Sequence, residues 1–313
     1  MLNRNFVLWL VTIVVMFANT LVSAEIIDTA IEHTGTIVVK NGADFHKHRL
    51  CAVFLNTNGL VSGVNFSNAD LRYARLASDG EEIDPVSQYK ECNFHKANMT
   101  FAYGIYAEFI DCDFTDANID GAEIALSPKN LAQTRNYKLR DLRGVKLNCS
   151  WVIYESTINI VPIGAPSFDF SNCLLNDATL PYGIGNCKFD DAMLEGTEFY
   201  ALCEKKVESH SFRVEQLYST KSYKQGTIIN CNFSVLDFTN ANFTNINLTQ
   251  CQFYGNLKDA KFDNAIISNC TLRDAKNLTL AQIKSTWNYK YNRMDGIELP
   301  KDIQDKLDKE KKK

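Results

Sequence analysis

Residues 92–124 read CNFHKANMTFAYGIYAEFIDCDFTDANIDGAEI, and this stretch repeats itself every five residues. Its central positions are Phe94, Met99, Gly104, Phe109, Phe114, Ile119 and Ile124. A small residue precedes each of them by two positions: Cys92, Ala97, Ala102, Ala107, Cys112, Ala117 and Ala122. Because a helix repeats about every 3.6 residues and a strand about every 2, this period indicates a coil made of five-residue segments.

The same period returns in further runs along the chain. Their large residues are Phe66, Leu71 and Leu76; Leu175 and Leu180; Phe189, Leu194 and Phe199; and Phe233, Phe238, Phe243, Leu248 and Phe253. The period loses one residue after Phe253 and resumes at Leu257. Two inward positions in each segment, one large and one small, predict a narrow tube whose axis is filled by the large residues.

Three triads show the repeat most clearly: Ala69-Asp70-Leu71, Ala117-Asn118-Ile119 and Ala241-Asn242-Phe243. They resemble the alanine–aspartate/asparagine–leucine core of the pentapeptide-repeat family. The resemblance implies an all-β solenoid, a right-handed quadrilateral β-helix with four pentapeptides in each coil. We expect the Asn and Asp residues to serve the bends, because their side chains bond locally to the backbone and tolerate unusual dihedral angles.

The cysteine spacing tests the length of a coil. Cys92 and Cys112 are separated by the length of four pentapeptides, as are Cys231 and Cys251, and Cys270 follows at one residue less than that spacing. Residues one coil apart stack at about 4.8 Å, so these thiols should form inward ladders. Export and the even count of ten cysteines favour disulfides. The shorter Cβ separation that a disulfide needs, about 3.8 Å, favours free thiols as small apolar fillers.

Cys51, Cys149 and Cys203 lie off the clean repeat and are freer to react. Whether these or the stacked cysteines form disulfides stays open at this point.

Residues 1–24 have the pattern of a signal peptide. Arg4 gives a basic start, residues 6–18 are almost continuously apolar, and Val22-Ser23-Ala24 fits a small-residue cleavage site. The apolar run is shorter than the roughly 20 residues of a spanning helix. We therefore expect cleavage after Ala24 and a secreted, periplasmic or other extracytoplasmic protein with no membrane span in the mature chain. An uncleaved anchor is the alternative.

The remaining chain divides into a repeat region between two ends. Residues 25–62 are predicted to form an N-terminal cap, because an open coil exposes unpaired strand edges. Residues 63–299 are the repeat region, interrupted by excursions near 127–146, 201–230 and 277–296. Residues 300–313 are predicted as a short helix, with Ile303 and Leu307 on one face, followed by a basic tail.

The three excursions resemble one another. Each contains a Tyr-Lys pair (Tyr137-Lys138, Tyr223-Lys224 and Tyr289-Lys290), a threonine three residues before the tyrosine, and Leu or Ile six residues before it. The third opens with Thr279-Leu280-Ala281-Gln282, which fits a capping box. We interpret each unit as one or two helical turns that leave the coil and return through Gly or Asn.

Two interpretations of these units remain. Their exposed aromatic and basic residues could form an interaction surface for a glycan or peptide; its candidate residues are Tyr137, Lys138, Tyr223, Lys224, Trp287, Tyr289 and Lys290. Alternatively, the aromatic residues cover coil edges, which the threefold occurrence favours, because a repeated insertion suggests a building element.

Catalytic and metal-binding motifs are scarce. Asp44, His46 and His48 alternate, so a strand would place them on one face as half of a metal site. A convincing third and fourth ligand is missing, so we predict no metal site. The sequence contains no Gly-x-Ser-x-Gly elbow, His-Glu-x-x-His, phosphate loop or CxxC pair. We therefore predict no catalytic residue, no cofactor and no enzyme activity.

The leading functional hypothesis is an exported scaffold or interaction module with an unknown protein or glycan partner. With 33 basic and 37 acidic residues, the chain lacks the basic character expected for binding nucleic acid. A carbohydrate-active enzyme on a β-helix is the first alternative. The family resemblance supplies a weaker one, a DNA-mimicking gyrase inhibitor. A monomer and a dimer formed through the caps both remain open.

Overall fold

A computed structural model describes residues 35–57, 59–77, 87–105, 107–147, 167–180, 183–199, 212–233 and 236–311. The chain forms two compact units: Met1–Leu126 with Gln133–Arg135, and Ser127–Ala132 with Asn136–Lys313. The predicted leader over residues 1–24, Cys149, Cys203 and residues 201–211 of the second excursion lie outside the described residues.

The first unit is a parallel β-helix with very short strands, as the repeat predicts. Its strands are β1 (Thr36–Val38), β2 (Phe54–Asn56), β3 (Leu60–Ser62), β4 (Ser87–Lys90), β5 (Tyr103–Gly104), β6 (Ala107–Ile110) and β7 (Glu123–Ile124). β1 pairs with β2, β4 with both β3 and β6, and β5 with β7, in each case in parallel. Asn98 bridges to Asn118, so the predicted coil of four pentapeptides is confirmed.

The second unit has the same architecture and carries most of the helices. Its strands β8 (Lys146–Leu147), β9 (Thr179–Leu180) and β10 (Glu198–Phe199) are also parallel. The helices are α1 (Pro128–Gln133), α2 (Arg135–Lys138), α3 (Val214–Ser219), α4 (Lys221–Lys224), α5 (Leu280–Ser285), α6 (Trp287–Lys290) and α7 (Lys301–Lys311), with a 3₁₀ turn at Ile184–Asn186. The right-handed quadrilateral solenoid with short helices is therefore confirmed.

The large residues of the repeat fill the axis of each unit. In the first unit the rings of Phe66, Phe94 and Phe114 stack at 4.9 and 4.8 Å between successive centroids, and all three are fully buried. In the second unit Phe233 stacks on Phe253 at 5.3 Å. Stacked aromatic rings bury large areas and attract each other at this separation, so the column stabilises the coil.

The left-handed backbone of each corner falls on a different residue from the one expected. Asn98 and Asn242, in the middle of their triads, lie at parallel bridges. The expected local bonding is present, because each side-chain oxygen accepts a hydrogen bond from the backbone N–H two residues later. The positive φ angle belongs to the residue just before the small inward one, such as Asn68 (56°) and Asn240 (61°).

Coil geometry extends into the segment that the sequence assigns to an N-terminal cap. Asp44, Arg49 and Phe54 bridge in parallel to Asn65, Asp70 and Arg75 of the next coil. Lys47 and Ala52 have the left-handed φ of the other corners, 58° and 55°. Residues 36–56 are thus already part of the stacked coil.

The lost residue of the repeat is accommodated at Gly255. From Asp237 to Gln252, bridged partners are one residue closer in sequence than four pentapeptides, as in the pair Asp237 and Asn256. A Cβ atom on Gly255 would lie 1.7 Å from the carbonyl oxygen of Leu236. The shortened coil therefore brings two backbone segments together so closely that only glycine fits.

A helix follows the last described bridge of the second unit, between Thr271 and Glu298. It is α7, which buries Ile303 and Leu307 as the sequence predicts. None of the helices in the described ranges is long and apolar enough to cross a membrane.

Candidate functional site

The helical pairs α3–α4 and α5–α6 are fastened to the coil by a glutamine in each first helix. The side-chain oxygens of Gln216 and Gln282 accept a hydrogen bond from the backbone N–H of the N-cap residues, Arg213 and Thr279. In α5 the Thr279 hydroxyl also accepts from Gln282 N–H, which completes a capping box. The side-chain NH₂ groups of the two glutamines each donate to two carbonyls of the preceding coil at 2.7–2.9 Å. The acceptors are Ile184 and Cys187 for Gln216, and Leu257 and Ala260 for Gln282.

A buried threonine joins the two helices of each pair. The Thr220 hydroxyl donates to the Leu217 carbonyl at 2.7 Å and accepts from the backbone N–H of Tyr223. Thr286 makes the same two bonds, to Ile283 and from Tyr289. This is the threonine that the sequence places three residues before each tyrosine.

The helical pairs continue the coil rather than leaving it, contrary to the interpretation from sequence. The backbone N–H groups of Lys221 and Trp287 donate to the carbonyls of Ala192 and Ala265 in the preceding coil. Within the first unit, Arg135 N–H donates to Ala117 in the same way. The pairs α3–α4 and α5–α6 are therefore layers of the solenoid in which two helical turns replace one face.

Polar side chains complete these layers. The Ser222 hydroxyl and the Asn288 amide oxygen accept hydrogen bonds from the backbone N–H groups of Leu194 and Ile267, at 2.9 and 2.7 Å. In the first unit the side chain of Gln133 accepts from Phe114 N–H at 2.8 Å. These oxygens stand where an extended coil would present a carbonyl.

The first two predicted tyrosines are held against the coil that follows them. The Tyr137 hydroxyl donates to the carbonyl of Asp169, and the Tyr223 hydroxyl donates to that of Asn242, both at 2.7 Å. Burial raises the pKa of both tyrosines. Arg140 also stacks on the Tyr137 ring, with its guanidinium carbon 4.8 Å from the centroid.

The lysines of these pairs lie at the surface. Lys224 forms an ion pair with Asp191 at 2.9 Å, and Lys290 donates to the side chain of Asn264 at 2.7 Å. Lys138 is exposed at the end of α2. The contacts of the tyrosines and lysines match the interpretation that these units cover coil edges, and binding of a glycan or peptide by them stays a prediction.

The third pair differs because a cavity lies beside its tyrosine. Trp287 packs on Tyr291 with centroids 5.0 Å apart. Tyr289 lies instead at a cavity of about 470 Å³, whose other lining residues come from the loop after α6 and from α7. The sequence indicated the tyrosine but not the cavity, since the cavity depends on how α7 packs.

A pair of exposed aromatic residues, absent from the predicted site, occupies one corner of the first unit. Tyr73 and Phe101 stack with centroids 5.3 Å apart, and 58% and 52% of their surfaces are exposed. Both have left-handed φ angles, 58° and 56°. We call these two residues the aromatic corner.

The aromatic corner depends on a glycine in the next coil. Gly121, at the equivalent position with φ 60°, would bring a Cβ atom to 2.3 Å from the Phe101 ring. Among the non-glycine residues with positive φ in the described ranges, only Tyr73 and Phe101 are aromatic. The available signal was an aromatic residue at a position that Asn or Asp usually fills.

The described cysteines are free thiols. Of the stacked ones, Cys112 donates to the Tyr89 carbonyl at 3.1 Å and Cys251 to that of Ile228 at 3.2 Å. A hydrogen bond with Cys92 and burial raise the pKa of Cys112, and burial raises that of Cys251. Cys51 is half-buried, and burial raises its pKa as well.

The three residues considered as half of a metal site form local hydrogen bonds instead. The His46 backbone N–H donates to the Asp44 carboxylate, and Nδ1 of His46 lies 2.8 Å from the Ser67 hydroxyl. His46 and Lys47 form a turn, so the strand-like alternation with His48 is wrong. No group of three or more His, Cys, Asp or Glu side chains within the described ranges could hold a metal ion.

Comparison with known proteins identifies the repeat. The pentapeptide-repeat family, described as "Pentapeptide repeats", matches residues 90–124 and 226–255 with eight copies. No curated protein matches the chain.

Two solved structures illustrate how distant the similar proteins are. HetL, a pentapeptide repeat protein involved in heterocyst differentiation regulation from the cyanobacterium Nostoc, is 17% identical. That alignment covers 85% of this chain and 84% of HetL, with a TM-score of 0.18. QnrB1, a plasmid-mediated fluoroquinolone resistance protein, is 12% identical over 88% of this chain and 97% of its own, with a TM-score of 0.21.

Similarities with such low TM-scores carry no argument about this protein. The matched repeats are informative, because they coincide with parallel coils. In these coils Asn98 bridges to Asn118 and Asn232 to Gln252, and each pair is four pentapeptides apart. The chain thus contains pentapeptide repeats, and they form the parallel β-helix that the resemblance implies.

Proposed function

We propose that this protein is an exported, non-enzymatic scaffold that binds a protein or glycan partner through exposed side chains of its coil. The observation that carries the proposal is the aromatic corner. A bulky residue with positive φ is a rare, strained conformation that costs on the order of 1–3 kcal/mol and is concentrated at functional sites. Two such residues, stacked and exposed, are difficult to explain by folding.

The folding requirements of a corner are met elsewhere without aromatic residues. Asn68 and Asn240 fill equivalent positions, and Asn adopts the left-handed conformation more readily than most residues. Half of each aromatic side chain remains in water, so burial offsets little of the strain. An exposed ring pair instead offers a flat apolar face, which suits the apolar face of a sugar ring or an apolar protein side chain.

The surroundings of the aromatic corner add polar recognition groups. Arg75 lies over the ring of Tyr103, 5.4 Å from its centroid, two residues along the chain from Tyr73. On the other side in sequence, Arg72 forms hydrogen bonds of 2.8 and 2.7 Å with the Asp70 carboxylate. Aromatic and arginine side chains are the residues most enriched at binding hot spots.

Export is supported by the basic start, apolar run and cleavage site of residues 1–24. Finding the uncleaved protein in the cytoplasm would refute this part of the proposal. The non-enzymatic part is tested by incubating the protein with a panel of cell-wall and plant polysaccharides. Release of sugar would refute it in favour of a carbohydrate-active enzyme.

Affinity capture tests the interaction itself. Residues 25–313 are immobilised and exposed to cell-envelope and extracellular extracts, and the retained molecules are identified. The double variant Tyr73→Asn/Phe101→Asn removes both rings and keeps residues that suit the corner. Lys96→Asn is the matched control, because Lys96 occupies another left-handed corner of the same unit (φ 54°).

We expect a specific partner to be retained by the original protein and by the Lys96→Asn control, and lost by the double variant. Equal retention by the double variant, or no specific partner for the original protein, would overturn the proposal.

A further inference from the structure

The three helical pairs present the same tyrosine in two different situations. In the first two pairs its hydroxyl holds an extended strand by a backbone carbonyl. Tyr137 bonds to Asp169 and Tyr223 to Asn242, and each acceptor is itself bridged in parallel to the next coil, at Lys188 and Lys261. The second helix of a pair therefore acts as a support for an extended backbone.

The third pair places its tyrosine in the same way, but no described strand is bonded to that tyrosine's hydroxyl. Thr286 caps α6 as Thr220 caps α4, so Tyr289 is placed on its helix like Tyr223. Within the described ranges, no residue accepts a hydrogen bond from the Tyr289 hydroxyl. A helix, α7, follows α6 there instead of a coil, and Lys284 of α5 is tied to Glu310 of α7 at 2.7 Å.

A cavity adjoins Tyr289, between the loop after α6 and α7. Its volume of about 470 Å³ lies within the range of ligand sites, roughly 300–1,000 Å³. Met294, Ile297, Leu299 and Leu307 supply apolar walls, and Asn292, Asp295, Gln304 and Glu310 supply polar ones beside Tyr289. The cavity therefore offers apolar contacts for one side chain and polar groups for the backbone of an extended segment.

We propose that this cavity binds an extended peptide segment of a partner protein. A backbone carbonyl of the peptide accepts a hydrogen bond from the Tyr289 hydroxyl, and an adjacent apolar side chain enters between Leu299 and Leu307. Addition of an extended peptide to a coil uses main-chain bonds for affinity and side-chain pockets for specificity. The inference rests on the proposed interaction function and names a site and a partner class for it.

The chain itself provides the probe. A labelled synthetic peptide with the sequence LDFTNANFTN copies residues 236–245, which include the Asn242 carbonyl that Tyr223 holds. Binding to residues 25–313 is followed by fluorescence anisotropy, with a scrambled peptide of the same composition as the specificity control.

Three variants locate the binding. Tyr289→Phe removes only the hydroxyl and should weaken binding about five-fold, the usual effect of one hydrogen bond. Gln304→Trp fills the cavity from the half-exposed face of α7 and should abolish binding. Tyr291→Phe is the matched control, since Tyr291 is 64% exposed and does not line the cavity.

We expect the copied peptide to bind, the scrambled one not to, and the Tyr291→Phe variant to bind like the original protein. Absence of binding by the copied peptide, or equal binding by the Gln304→Trp variant with unchanged circular dichroism, would overturn this inference. A further outcome is that the original protein and the Gln304→Trp variant capture a partner from extract with equal yield. That result would leave the proposed function intact and refute only this site.

Discussion

Replacing Gly255 by alanine should be among the most damaging single-methyl changes in the second unit. A Cβ atom there would lie 1.7 Å from the carbonyl oxygen of Leu236, 2.7 Å from its carbonyl carbon and 2.9 Å from its nitrogen. All three are backbone atoms, so no side-chain rotation can relieve the overlap. The two coils would have to separate by more than about 1 Å to reach ordinary contact.

The expected loss follows from the hydrogen bonds around Gly255. Its carbonyl accepts from Lys276 N–H, Asn256 accepts from Phe238 N–H, and Leu257 N–H donates to Lys276, each at 2.8 Å. A separation of this size would break or distort all three bonds. At about 1 kcal/mol for each bond, the free energy of unfolding should fall by about 3 kcal/mol.

The matched control is Gly226→Ala. Gly226 has a φ of 71°, and the nearest atom to its ideal Cβ is the Asn245 oxygen at 3.8 Å. This variant carries only the left-handed strain of alanine, about 1–2 kcal/mol. Urea unfolding of both variants, followed by circular dichroism, measures the difference.

Because stacked coils can unfold segment by segment, amide hydrogen exchange at Leu257 and Lys276 should be measured as well. We expect faster exchange at these two amides in Gly255→Ala and little change in Gly226→Ala. Equal losses of stability in the two variants, with unchanged exchange, would refute the close approach of the Gly255 and Leu236 backbones.

Three further predictions concern the aromatic corner, an ion pair and a buried thiol. The double variant Tyr73→Asn/Phe101→Asn should raise the free energy of unfolding, measured by urea titration, by about 1 kcal/mol. It relieves about 1 kcal/mol of backbone strain at each residue and loses about 1 kcal/mol of ring stacking. A loss of stability would contradict the strain argument. The hydrogen bond from Arg72 lowers the pKa of Asp70 in the folded protein. The ionised Asp70 carboxylate therefore stabilises the folded protein above the unfolded-state pKa of about 3.9, and this contribution is lost as the pH falls through the folded-state pKa. Asp70→Asn should therefore flatten the stability curve between about pH 5 and pH 2, measured by thermal unfolding, and an unchanged slope would contradict the role of this pair. Cys251 is fully buried, whereas Cys51 is partly exposed, so a thiol reagent at pH 8 should label Cys51 in the native protein and Cys251 only on unfolding. Native labelling of Cys251 would contradict its burial.

The fold could be predicted from the sequence because the five-residue period is a local property. Every five-residue segment must place one large and one small residue inward, so Phe94 and Cys92 reveal the geometry without any long-range information. The spacing of Cys231 and Cys251 then gives a coil length of four pentapeptides, which the bridge between Asn232 and Gln252 confirms.

The helical pairs show where this local reasoning ends. The capping box at Thr279 and Gln282 predicts the beginning of α5 correctly. The capping box does not predict the hydrogen bonds of the Gln282 side-chain NH₂ group, which donates to the carbonyls of Leu257 and Ala260 in the preceding coil. That connection decides that the pair is a layer of the coil, and it depends on packing between coils rather than on the pattern within one.

The residues of the proposed interaction surface were not predicted from the sequence, for a related reason. In the sequence the visible candidates for a site are the interruptions of the repeat, whereas Tyr73 and Phe101 lie inside uninterrupted repeats and look like ordinary variation at a corner position. What distinguishes them is a large aromatic side chain that stays exposed at a left-handed corner position.

The same criterion separates the three tyrosines of the helical pairs. Tyr137 and Tyr223 are accounted for by the strands whose carbonyls they bind, so their substitution should report on stability. Tyr289 occupies the same place in its helical pair but adjoins a cavity, so removing its hydroxyl should change peptide binding while leaving the unfolding free energy nearly unchanged. If Tyr289→Phe instead destabilised the protein as much as Tyr223→Phe, the hydroxyl would be serving the fold in all three pairs, and the cavity would have no claim to be a site.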